Sequence, residues 1–155
     1  MIQVTEMSPF DLKSALLAKH AQHVAAVHFP IALIVVSVVF DVLAIRRKNL
    51  ALLNAAYYTA IVASIAALPT IATGLLAWQL QFEGQALRGN LRLHMVLALF
   101  SSAMIWLVSW LHFKVRQRPL PGTPRLRLAV EFVTVFLTLF AGHVGGFVSG
   151  VNGPA

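Results

Sequence analysis

Four long apolar runs separated by short polar stretches make up most of the chain. They cover roughly 24–45, 50–80, 92–113 and 128–148, and each has about 20 residues or more, enough for a helix to cross a hydrocarbon core of about 30 Å. The second run is longer than a crossing needs, so it predicts a tilt, a bend at Pro69 or a protruding end. Between the runs lie Arg46-Arg47-Lys48, a turn-prone hairpin with Glu83, Gly84, Arg88, Gly89 and Asn90, and a basic loop broken by Pro119, Pro121, Gly122 and Pro124. Ahead of the first run, Ser8 before Pro9 reads as a helix start. Phe10, Leu12, Leu16, Leu17 and Ala21 then set a loose apolar stripe against Asp11, Lys13, Lys19 and His20, which fits a short helix on a membrane surface. The pattern predicts an all-α fold, an integral membrane antiparallel four-helix bundle with a short N-terminal interfacial helix. Its parts are an N-terminal segment, 1–22, the transmembrane bundle, 23–150, and a short tail, 151–155.

Composition agrees. Of the 155 residues, 59% are hydrophobic and 11% charged. A mean hydropathy of +0.80 leaves too little polar surface to cover a soluble globule of this size. With no cysteine, the chain has no disulfide, thiolate metal site, iron–sulfur cluster or covalent haem attachment. The net charge of +7 would suggest nucleic acid in a soluble protein, but most basic residues sit in two short loops and fit the positive-inside rule better. The first and third loops hold three and five Lys or Arg, against four in the leader and second loop together. The first and third loops are therefore expected to face the cytoplasm, and both termini the periplasm of a bacterial inner membrane. No cleavable signal peptide is visible, so the first span is expected to direct its own insertion.

The chemistry concentrates at one end. His23 and His28 open the first run, His94 begins the third, and His143 lies near the end of the fourth. At 1.5 Å per residue His28 lies about 25 Å from the first basic loop, and His143 about 23 Å up the fourth span. Ionisable groups at the edge of a membrane are costly, so four imidazoles at one depth point to function. Imidazole is a common metal ligand and an axial ligand for haem iron. Gly142, Gly145 and Gly146 around His143 leave room for a flat macrocycle or a close helix contact. His23 and His28, five apart, point about 140° from each other on a continuous helix. Pro30 disfavours helical geometry at Phe29 and predicts a later start for the span, which would let both turn inward. The expected innermost set is His28, His94 and His143, with His23 next as a ligand to a second centre, a propionate partner or a proton relay. A hydrogen-bonding role alone suits His20 and His112. Asp41 is expected to reach Arg46 or Arg47, and Glu131 to pair with Arg127 four residues earlier. No polar trail joins these carboxylates to the histidines in the sequence.

His23-x4-His28-Phe29-Pro30-Ile31-Ala32-Leu33, then Phe40-Asp41, His94, and Gly142-His143-Val144-Gly145-Gly146 resemble a bacterial family of small four-span membrane proteins catalogued as domain of unknown function 2231. The resemblance covers all four spans. Members usually carry Pro after the first His, where this chain has Val24, and often a polar residue where it has Phe147. The family's association with c-type cytochromes implies a redox setting.

The leading expectation is an electron-transfer protein or respiratory-complex subunit binding haem b at the periplasmic end. It would sit in the lipid bilayer, exchange electrons with a quinone and a periplasmic c-type cytochrome or larger respiratory complex, and bind no nucleic acid. As part of an oxidoreductase it would be a non-catalytic electron-transfer subunit. The alternatives are copper, zinc or non-haem iron on the same histidines, and a cofactor-free accessory subunit.

Overall fold

Runs this apolar can satisfy their backbone groups in lipid only by bonding within each segment, which makes them helices. The computed structural model describes residues 21–81, 83–84, 86–117 and 124–150. The surface helix expected in the leader and the 151–155 tail fall outside the described residues. Four helices follow in order: α1 (Ala21–Arg47), α2 (Leu50–Gln81), α3 (Gly89–Gln117) and α4 (Pro124–Val148). All four are long and apolar enough to cross a membrane. They run up and down in sequence, with α1 against α2, α2 against α3, α3 against α4, and α4 closing the ring on α1.

The bundle is polar inside and apolar outside. Its interior holds Ser37, Asp41, Ser109, His112, Arg127, Glu131, Thr134 and Thr138 beside Ile34, Ile105 and Val108. Phe29, Ile65, Leu80, Phe132 and Phe136 face outward, as lipid-facing positions do. Ala56, Ala60, Ala63 and Ala67 form a fully buried stripe on α2, and their small size brings the neighbouring backbones close. Ser37 Oγ donates to Ala56 O at 2.8 Å, and Ser109 Oγ to Ala60 O at 2.8 Å, so hydroxyls tie this stripe to α1 and α3.

Pro30 does not start the first span. Helix α1 runs unbroken through it, contrary to the expectation of a later start. The missing N–H of Pro30 frees the carbonyl of Ala26. Thr70 Oγ1 on α2 lies 3.2 Å from that carbonyl and 2.9 Å from Ala66 O of its own helix, so its one proton is shared between the two. A hydroxyl of the neighbouring helix thus stands at the defect, and α1 keeps a single phase from Ala21 to Arg47.

The turn from α1 to α2 is equally specified. The Asn49 N–H donates to Ala44 O at 3.1 Å, while Asn49 Oδ1 caps α2 by accepting from the N–H groups of Ala51 and Leu52. Lys48 sits at φ 48°, a left-handed position that glycine tolerates better. Lys48→Gly should therefore stabilise the bundle by about 1 kcal/mol. Equilibrium unfolding in mixed micelles checks this, and destabilisation would count against the turn.

Candidate functional site

At the end of the bundle away from Arg46-Arg47-Lys48, the four helices part around a cavity of about 550 Å³. Its walls are mostly aliphatic, with His23 and His28 from α1, Gly74 and Trp78 from α2, His94 and Met95 from α3, and Gly142, Gly145 and Gly146 from α4. It reaches down to Ile105 and Thr138.

The unbroken phase of α1 decides which histidines meet. His23 faces α2, where Nδ1 lies 3.3 Å from Thr73 Oγ1. That hydroxyl's one proton has acceptors in Pro69 O at 2.8 Å and Thr70 O at 3.1 Å. It can therefore receive a proton from His23. His94 Nδ1 donates to Ala141 O at 3.0 Å across the α3–α4 seam. His94 thus carries its proton on Nδ1, which leaves its Nε2 a lone pair, and the same arrangement is open to His23. The Thr70 backbone is a further hydrogen-bond partner of the His23 ring. The ring centroids lie 6.3 Å apart at 75° to each other.

Glycine makes both positions available. A Cβ on Gly74 would lie 2.9 Å from His23 Cε1, and one on Gly145 would lie 2.8 Å from His94 Cε1. Each imidazole lies in the gap a missing side chain leaves on the facing helix. Gly142 serves helix packing instead, since its Cβ would touch Ile31 Cδ1 at 3.4 Å.

The burial order differs from the expected one. His23 and His94 are half-buried, whereas His28 and His143 are exposed. His28 Nδ1 bends back to Val24 O of its own helix at 2.6 Å, although the residue still lines the cavity. His143 packs edge-on against Phe147, with centroids 5.1 Å apart, and is not among the residues lining the cavity. Thr73 and Gly74 were not foreseen. Their signal was polarity and smallness in the middle of an apolar run.

A second polar site lies at the basic end. Arg127 grips Asp41 with two hydrogen bonds, Nε to Oδ2 at 2.9 Å and Nη2 to Oδ1 at 2.6 Å. Asp41 thus pairs with Arg127 rather than with Arg46 or Arg47. Arg127 also lies 3.6 Å from Glu131, the expected pairing one helical turn on. His112 Nε2 is 2.8 Å from Glu131 Oε1. At 2% exposure His112 belongs to the core, and its hydrogen bond to Glu131 is the role expected of it. The other carboxylate oxygen, Glu131 Oε2, is buried without a hydrogen-bond partner.

A family model described as predicted membrane protein (DUF2231) matches residues 19–153. The chain belongs to this family. The match takes in all four helices, the histidine cavity and the basic-end cluster, so both sites lie within the family domain. No curated protein and no solved structure matches the chain.

Proposed function

We propose that the chain is a membrane electron-transfer protein that holds haem b in the outer cavity between His23 and His94. The observation that carries this is the pair of half-buried imidazoles in the cavity wall, each held to a facing helix, with His94 anchored through Nδ1 so that its Nε2 is left for a metal. Metal-binding histidines commonly have their second nitrogen fixed in this way. With metal–nitrogen bonds of about 2 Å, two imidazoles on opposite sides of one metal have centres roughly 6 Å apart, close to the separation seen.

The donor set favours a porphyrin over a bare ion. The cavity walls offer imidazoles but no carboxylate or thiolate among the described residues. A bare zinc ion would want four ligands. A porphyrin supplies four nitrogens of its own and needs two more. The cavity volume lies within the range of small-molecule and cofactor sites, and its aliphatic walls suit a flat apolar ring. Bound there, haem would supply one-electron transfer, while the chain sets the axial ligands and the burial that tune the potential.

With the basic loops in the cytoplasm, the cavity would lie at the periplasmic side of a bacterial inner membrane. A membrane quinone and a periplasmic c-type cytochrome are the proposed exchange partners, within or beside a larger respiratory complex. A second reading is favoured by Met95 in the cavity wall: a soft thioether beside imidazoles suits copper.

Reduced-minus-oxidised difference spectra of the purified protein distinguish these. Sharp b-type bands should be present in wild type and in His143→Ala, and lost in His94→Ala. Copper by metal analysis with no haem bands would establish the second reading.

A further inference from the structure

The basic-end cluster and the cavity are joined along one face of α4. Arg127, Glu131, Thr134, Thr138, Ala141 and Gly145 recur at intervals of four and three, the spacing of a single inward stripe. Glu131 and Thr134 are fully buried, and Thr138 lines the cavity. The carbonyl of Ala141 is the one that holds His94. Polar side chains thus share the one face of α4 that lies between the cluster and the cavity.

Charge counting says what the cluster would hold. Asp41 and Glu131 are carboxylates and Arg127 is a fixed cation, so the three leave one negative charge uncompensated. Charge is expensive in a low-dielectric interior unless balanced. One proton on the His112–Glu131 hydrogen bond makes the quartet neutral. A divalent cation would leave it positive, and the Asp41 oxygens it would need already accept from Arg127. The buried, unpartnered Glu131 Oε2 is the second sign of a missing small ligand. The groups facing this proton are Asp41 from α1, His112 from α3 and Arg127 from α4; α2 carries no Asp, Glu, Lys, Arg or His, and its titratable groups are the phenols of Tyr57 and Tyr58. Arg46, Arg47, Arg116 and Arg125 are exposed around the rim, with Arg116 donating to Tyr58 Oη.

We propose that the Asp41–Arg127–Glu131–His112 quartet binds one exchangeable proton and that the Thr134–Thr138 face of α4 passes it to the cavity. Protons reach the quartet past Arg127, its most exposed member at 6%, and rest between His112 Nε2 and Glu131. Each threonine oxygen then accepts one proton as it releases its own, so no other bond changes. At rest both hydroxyls donate to carbonyls on their own helix, Val130 O and Thr134 O, each at 2.7 Å. Thr134 and Thr138 are about 6 Å apart along the axis, so the transfer requires one water between them.

The test reads protons, so its failure leaves the haem proposal standing, and loss of the haem spectrum leaves this one standing. Full-length protein is reconstituted into liposomes enclosing a pH-sensitive dye, and proton entry is driven by a potassium diffusion potential. Wild type should admit protons at least tenfold faster than Glu131→Gln or Thr138→Val. Thr59→Val, which alters a hydroxyl bonded within its own helix off this face, should match wild type. Because Glu131→Gln disturbs the ion cluster, the near-isosteric Thr138→Val is the decisive arm. Infrared difference spectra across pH should show a carboxyl band that Glu131→Gln removes and Thr138→Val keeps. Wild-type flux equal to that of empty liposomes or of Thr138→Val overturns the proposal. So does the absence of that band, or stoichiometric binding of Zn²⁺ or Mn²⁺ that Glu131→Gln abolishes.

Discussion

Asp41→Ala should destabilise the bundle by about 3–5 kcal/mol, because it leaves the Arg127 guanidinium charged and unpaired in the interior. Arg127 is 6% exposed and its two hydrogen bonds to Asp41 join α4 to α1, so no solvent stands ready to replace the carboxylate. The penalty belongs to the unpaired charge more than to the lost attraction. Removing both partners, Asp41→Leu with Arg127→Met, should therefore return stability to near the wild-type value or above it. Equilibrium unfolding in mixed micelles reads both. A single mutant within about 1 kcal/mol of wild type would mean that the pair is solvated and that the basic end is not a dry core.

The second large effect falls on binding rather than on stability. Gly145→Ala places a methyl 2.8 Å from His94 Cε1, a contact that cannot persist. The imidazole is the free end of a side chain, so it swings away instead of forcing the helices apart. The stability cost should be about 1 kcal/mol, that of the hydrogen bond to Ala141 O. Cofactor affinity should fall far more, by at least a hundredfold, since a ligand held about 1 Å out of place loses most of its bond. Gly74→Ala should do the same to His23 from the opposite wall. Haem titration monitored by absorbance, alongside unfolding in the same micelles, separates the two effects. Equal losses in both would reduce the glycines to packing residues.

Much of this architecture could be read from the sequence. Spans of about 20 apolar residues, basic residues in alternate loops and histidines at the opposite end are one-dimensional features, and the helices fall where those features put them. The Arg127–Glu131 contact was visible for the same reason, since residues four apart on a helix are neighbours. Which imidazoles face inward was not visible. That depends on the phase of α1, which runs unbroken through Pro30 with Thr70 of another helix set against the freed carbonyl. The Asp41–Arg127 pair joins residues 86 apart in sequence. Nearby Arg46 and Arg47 were the natural local candidates, and only the closing of α4 on α1 rules them out. Thr134 and Thr138 read as ordinary residues of an apolar run until Arg127 and Glu131 are seen on the same face.

The most direct measurement is the electron paramagnetic resonance spectrum of the oxidised, haem-loaded protein. If His23 and His94 both ligate the iron, wild type gives a low-spin ferric signal, as two strong axial nitrogens require. His23→Ala and His94→Ala each convert it to high spin, and His143→Ala leaves it unchanged. A low-spin signal that persists in His23→Ala, or no haem iron signal from wild type, would contradict the assignment.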